Sequence, residues 1–244
     1  MNAPRRIVTD AAALPAAAAE EFTKAAEAST GPFRVALSGG STPKALYALL
    51  ADEKAPYRAR LPWDRLHFFW GDERCVPPDH ADSNYRMALE ALLSKVPVPP
   101  AHVHRIEGEL PNAETAADKY EDTLVREFDA LPRFDWIFLG MGADGHTASL
   151  FPGTLAVTEK KKLVTSVWVP EKKTFRVTLT LPVLNAAKTV AFLVAGPDKA
   201  DSVRLVWGGE ASPARPASLV RPVRGELLWL LDRAAAAGLG PTPA

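Results

Sequence analysis

The feature that most constrains this chain is a set of short apolar runs that do not alternate. FRVALSG (33–39), LHFFWGDE (66–73), FDWIFLG (134–140) and TVAFLVAG (189–196) each stay apolar for about a strand's length and then end in glycine or charge. A strand with one wet face alternates, whereas an unbroken run fits a strand buried on both faces of a parallel sheet. Segments with helical spacing lie between them, such as NYRMALEALLSKV (84–96) and AETAADKYEDTLVREFDAL (113–131). Strand–helix alternation without a fixed repeat or a long linker predicts one α/β domain over residues 1–244. Its sheet is expected to be mainly parallel, with helices on both faces.

Further elements follow the same logic. RRIVTD (5–10) reads as a first strand, with Asp10 as the cap of an Ala-rich helix that carries Leu14 and Phe22. KLVTSVWVP (162–170), FRVTLTL (175–181) and GELLWLLD (225–232) read as strands, and DKADSVRLVW (198–207) and SPARPASLVR (212–221) as helical. RAAAAGLGPTPA is expected to be a helical end with a frayed tail over about 238–244.

Ligands of open parallel sheets sit beyond the carboxyl ends of the strands. The places to look are therefore the exits after Leu37, Trp70, Leu139 and Val194. The exit after Leu139 reads GMGADGHTASLFPG (140–153) and contains G-x-G-x-x-G at Gly140, Gly142 and Gly145. A dinucleotide turn needs a long helix opening at the glycines and an acid at the end of the next strand. Pro152 and Gly153 follow too soon, and the next strand ends near Trp168 and Val169 without an acid. The glycines are better read as a turn that presents Asp144 and His146.

The exit after Leu37, SGGSTPKALY, places Gly39 and Gly40 where backbone can approach a ligand. Ser41 and Thr42 are candidate caps and Pro43 suits the first helical position, so this start is a candidate anion site. The Walker spacing is absent. Asp72, Glu73 and Arg74 follow Trp70, while Arg176 and Lys199 stand near later strands, where each is either a surface cation or a phosphate partner. His80 and His104 read as surface residues. With no H-x-x-x-H or C-x-x-C pattern, no metal site is expected.

Composition narrows the partners. Lys plus Arg (29) balances Asp plus Glu (29), so no overall field draws the chain to nucleic acid or to an anionic membrane. Cys75 is the single cysteine, which fits a reducing compartment and reads as inert. The opening MNAPRRIVTD has no apolar core of a signal peptide, and no run is long enough to span a membrane. The expectation is a cytoplasmic protein, monomeric by default with an oligomer left open.

Three segments taken together, ALSGGSTPKALY, FFWGDERCVPPDHADSNY and FDWIFLGMGADGHTASLFPG, resemble the signature segments of 6-phosphogluconolactonases, and GELLWLLDRAA resembles that family's closing segment. The superfamily also holds glucosamine-6-phosphate isomerases (deaminases). The resemblance covers nearly the whole chain. It implies a Rossmann-like fold that binds no nucleotide, hydrolysis of 6-phospho-D-glucono-1,5-lactone in the oxidative pentose phosphate pathway, and no cofactor. It matches His146 to the catalytic histidine and Asp72 and Arg74 to residues beside the lactone. Gly39, Gly40, Ser41, Thr42, Arg176 and Lys199 match positions assigned to the phosphate. Asp144 is grouped with the catalytic residues. The sister isomerases carry a glutamate five residues after the motif histidine, where this chain has Phe151. The alternatives are that sister chemistry and a non-catalytic sugar-phosphate sensor.

Overall fold

A computed structural model describes residues 4–128 and 130–240. The strands are β1 (Arg5–Thr9), β2 (Phe33–Leu37), β3 (Leu66–Trp70), β4 (Asp72–Arg74), β5 (Trp136–Leu139), β6 (Val164–Val169), β7 (Thr174–Leu179), β8 (Thr189–Val194) and β9 (Glu226–Asp232). The α-helices are α1 (Leu14–Glu27), α2 (Ser41–Ala51), α3 (Pro56–Arg60), α4 (Asn84–Ala91), α5 (Ala113–Glu127), α6 (Leu181–Ala186) and α7 (Ala200–Gly208).

Six strands form one sheet in the order β1-β9-β8-β5-β2-β3, and every neighbouring pair is parallel. The chain moves outward through β2 to β3, then returns past β2 to build β5, β8 and β9 in the other direction. Right-handed crossovers then put α1 and α2 on one face and α5, α6 and α7 on the other. The direction of winding reverses between the adjacent strands β2 and β5, so a crevice opens between their carboxyl ends. These are the exits after Leu37 and Leu139.

A second sheet joins β4, β7 and β6 in antiparallel order. The physical reason lies in the β6–β7 connection, Pro170–Lys173, which is far too short for a parallel crossover and closes a hairpin instead. One face of this hairpin is wet, with Trp168 and Phe175 paired at 4.9 Å between ring centroids and each 46% exposed.

Helix α1 packs Phe22 against Phe33, Trp136 and Phe138 of the large sheet. On the edge strand β3, Phe69 packs with Phe128 and Phe134. Two buried tyrosines tie helices to strand ends near the crevice. The Tyr47 hydroxyl of α2 accepts from Ser38 N at 2.9 Å and donates to Ser38 O at 2.9 Å. The Tyr120 hydroxyl of α5 does the same for Trp70, at 2.8 and 3.0 Å. Burial pushes both phenols up, so both stay protonated donors.

Several local expectations are corrected. Asp10 does not cap α1 with its side chain: Ala13 stands at the cap position, and the Asp10 carboxylate pairs with Arg233 at 2.6 Å. Residues 212–221 form only a short 3-10 turn, Pro216–Leu219, because the prolines leave too few N–H groups for an α-helix. Residues 233–238 are turns rather than a helix. The frayed tail lies mainly outside the described residues, since 241–244 are not described. His80 is exposed, but His104 is buried, because its backbone N–H donates to Phe68 O and its ring stacks on Phe69. No helix among the described residues is long and apolar enough to cross a membrane.

Tyr47→Phe keeps the ring but leaves the Ser38 N–H and C=O, at the start of the crevice loop, without their partner. We expect a loss of about 1–3 kcal/mol, read as a lower urea midpoint with an unchanged slope. A midpoint equal to wild type would show that solvent replaces the hydroxyl.

Candidate active site

A cavity of ≈ 300 Å³ lies at the carboxyl edge of the large sheet. Gly39, Gly40, Ser41, Thr42, Asp72, Arg74, His146, Arg176 and Lys199 all line it, together with Ser38, Asn84, Met141 and Leu193–Ala195. The four strand exits therefore converge. Asp144 is not in the lining; it stands behind His146.

The turn after β5 is built locally. Gly142 N donates to His146 O at 2.9 Å and Gly145 N donates to Gly142 O at 3.0 Å, closing a loop with no helix after it. The loop therefore lacks the helix start that a dinucleotide turn requires. The Asp144 carboxylate accepts from His146 N at 3.1 Å and contacts His146 Nδ1 at 2.6 Å. A side chain at Gly142 would collide with both the imidazole and that carboxylate, so only glycine lets the pair fold over the turn. Burial alone would push the Asp144 carboxyl up, but His146 outweighs it and holds the carboxyl below its ordinary value. An ionised acceptor at Nδ1 places the ring proton there and leaves the Nε2 lone pair free. The Phe151 ring stacks on the imidazole, 4.2 Å between centroids and 25° between planes.

At the exit of β2, helix α2 begins at Ser41 with Gly40 as its N-cap, at φ 106°, and no side-chain cap. Ser41 and Thr42 are thus first-turn residues, not caps, and Pro43 sits at the third position of the helix rather than the first. The backbone N–H groups at such a start have no partner within the helix and favour an anion. Gly39 is needed for a different reason: a side chain there would strike the Asn84 amide.

The chain crosses from one sheet to the other at Gly71, whose N–H donates to Leu37 O at 2.9 Å and whose C=O accepts from Leu179 N at 2.9 Å. Asp72 then enters the small sheet almost fully buried. Its carboxylate accepts from Ser149 Oγ at 2.6 Å and from Asn84 Nδ2 at 3.3 Å, with Arg176 Nη1 at 3.9 Å. Arg74 and Arg176 are direct partners in the β4–β7 register. Two cations placed opposite each other repel, and the Nε atoms of both are buried with no partner among the described residues. Such a pair suits a bound anion. Burial pulls the Arg176 pKa down, with Asp72 opposing it. The Arg176 guanidinium also lies 5.8 Å from the Phe151 ring centre. Lys199 reaches the cavity from the exit of β8, with Nζ 3.0 Å from Asp198. Burial pushes the Cys75 thiol up to about 11, so it is no nucleophile near neutral pH.

Sequence reasoning gave Glu73 no role beyond the charged strand exit and passed over Asn84 and Ser149. The Glu73 carboxylate accepts from Arg74 N, Asn84 N and Tyr85 N at 2.7–2.8 Å and from Ser83 Oγ at 3.0 Å. A buried acid beside a helix start was the available signal; Asn84 and Ser149 carried none, because their roles depend on contacts distant in sequence.

The family model described as glucosamine-6-phosphate isomerases/6-phosphogluconolactonase matches residues 9–229. A Synechocystis protein named 6-phosphogluconolactonase is 45% identical over 220 residues, covering 88% of each chain. An Arabidopsis thaliana protein named 6-phosphogluconolactonase 3, chloroplastic, is 42% identical, covering 96% of this chain and 72% of that one. The 6-phosphogluconolactonase structure from Trypanosoma brucei superposes with a TM-score of 0.84 at 35% identity, covering 97% of this chain and 99% of that one. Sequence and overall fold thus agree, and the chain belongs to the glucosamine-6-phosphate isomerase/6-phosphogluconolactonase family.

Proposed function

We propose that this protein hydrolyses 6-phospho-D-glucono-1,5-lactone to 6-phospho-D-gluconate, in the oxidative pentose phosphate pathway. A cytoplasmic location goes with this reading. The observation that carries it is His146 at the cavity, oriented by Asp144 and covered by Phe151.

The reaction follows from that arrangement. His146 Nε2 takes a proton from a water molecule, whose oxygen bonds to C1 of the lactone. The carbonyl becomes an oxyanion, and Arg74 supplies positive charge for it. The oxyanion collapses, the C1–ring oxygen bond breaks, and the imidazolium returns its proton to that oxygen. Water has been added across the ester, and the product acid ionises. Acid–base help of this kind is worth ~10²–10⁴-fold. Asp72 positions Arg176 and the sugar. The α2 start with Gly39, Gly40, Ser41 and Thr42 binds the phosphate, together with Arg176 and Lys199.

Phe151 separates this reading from the sister chemistry. A phenyl ring accepts no proton from an imidazole, so it cannot replace the isomerases' glutamate in opening a sugar ring. Incubation with glucosamine 6-phosphate should therefore release no ammonia, whereas the lactone should release acid. Lactone binding without turnover would instead identify a sensor.

His146→Ala should lower kcat at least ~10²-fold while product binding and the circular dichroism spectrum stay as in wild type. Near-normal turnover, after subtraction of spontaneous hydrolysis, sinks the role given to His146.

The phosphate is the handle for the unreactive end. Charge-assisted contacts are worth ~1.5–3 kcal/mol each, so two of them should make unphosphorylated gluconolactone poorer by at least ~10²-fold in kcat/KM. Lys199→Ala and Arg176→Ala should each hurt the phosphorylated lactone far more than the bare one. Equal losses on both substrates would move the phosphate site elsewhere.

None of the proposed steps uses a metal. Activity should accordingly survive exhaustive chelation, and a loss restored by added divalent ion would overturn that part of the mechanism.

A further inference from the structure

A second cluster of proton-active side chains lies away from the cavity. His67 sits near the amino end of β3, the edge strand of the large sheet, five residues before Asp72. At ~3.3 Å of rise per residue, about 16 Å of extended chain separates it from Asp72 in the substrate pocket. The segment after β3's connection, Val103 and His104, runs alongside that edge: Val103 bridges to Phe68, and His104 N donates to Phe68 O at 2.8 Å. Glu127 is the last residue of α5 and reaches the same place.

The geometry points to a binding site for one transition-metal dication, of the zinc type, held by His67, His104 and Glu127. Their ligand atoms all lie within 4.8 Å of one another. His67 Nδ1 and His104 Nε2 are 3.3 Å apart. Two ligands of a tetrahedral zinc ion at ~2.0–2.1 Å stand about 3.3 Å from each other, which is the spacing of this pair. In the absence of an ion the same spacing serves one N–H···N hydrogen bond, and the ring planes, 7° apart, allow it. Glu127 needs only a side-chain rotation: it is at a helix end, partly exposed, with Oε1 3.8 Å from His104 Nδ1 and 3.3 Å from Arg126 Nε.

Both imidazoles are held by packing rather than by charge. His104 stacks on Phe69 at 4.4 Å, and His102 stacks on His67 at 3.8 Å. Rings fixed in this way bind an ion without paying further ordering entropy. The cluster's polar capacity is also not exhausted, since His102 Nδ1 is buried with no partner among the described residues. Two imidazoles and one carboxylate select a borderline ion over Ca²⁺ or Mg²⁺, which prefer all-oxygen shells. Water fills the fourth position. The sequence reading expects no metal here because the ligands come from three separate segments, with no short motif joining them.

The test uses the whole protein, stripped with a chelator and titrated with Zn²⁺ by calorimetry and with Co²⁺ by visible absorption. One equivalent should bind, Co²⁺ should give the intense ligand-field bands of a four-coordinate ion, and the thermal midpoint should rise. Glu127→Gln and His67→Gln should each weaken binding at least ~10-fold, since even partners one shell further out cost that much. Retained lactone hydrolysis would show that both variants are folded. His146→Ala should bind metal as wild type does. The proposal falls if wild type takes up no stoichiometric ion, if both ligand variants bind as tightly as wild type, or if His146→Ala alone abolishes binding.

Discussion

The site hangs on one buried carboxylate. Glu73 is 2% exposed, and an unpaired acid at that depth would be strongly unfavourable. Burial pushes its carboxyl up, and three backbone N–H groups and the Ser83 hydroxyl offset that cost. Two of those N–H groups, from Asn84 and Tyr85, belong to the first turn of α4, so Glu73 satisfies a helix start and complements its dipole. The helix is thereby fixed against β4. Asn84 then donates to Asp72 O and meets the Gly39 backbone so closely that no side chain fits between them. The position of the loop after β2, the orientation of Asp72 and the start of α4 thus depend on a residue that does not line the cavity.

Two sheets are needed to bring the charges together. The parallel sheet supplies the crevice between β2 and β5, but its strands end there in glycine and serine rather than in cations. The antiparallel sheet supplies Arg74 and Arg176, side by side in register. Gly71 joins the two by hydrogen-bonding to the end of β2 and the end of β7. The second sheet acts as a wall that carries guanidinium groups over the edge of the first.

Much of this was legible from residue order. Unbroken apolar runs identified the parallel strands, because burial on both faces leaves no room for alternation. The strand exits pointed to the pocket, because parallel topology fixes which end of every strand faces a ligand. What escaped the reading has a common cause. KLVTSVWVPEKKTFRVTLTL carries a turn too short for a crossover and one wet face, which is the mark of a hairpin, but continuity with the neighbouring runs hid it. Ser149 and Asn84 are ordinary polar residues until Asp72 is placed beside them. His104 looked like a loop residue among prolines, and only the extension of the β3 edge buries it.

The proposed chemistry divides along the same line between local and distant information. Asp144, His146 and the glycine that accommodates them lie within five residues, and their geometry is closed by hydrogen bonds inside one turn. The imidazole's tautomer is therefore set within that one turn, without contacts from the rest of the pocket. The proposed anion site is the opposite case. The α2 start, the Arg74–Arg176 pair and Lys199 come from four segments and meet only when both sheets are in register. The Nε atoms of both arginines are buried with no partner among the described residues, so a bound phosphosugar would meet donors that the folded chain leaves open. Because Arg74 and His146 line the same cavity, the binding event that recognises the substrate also sets the field in which the proposed oxyanion forms.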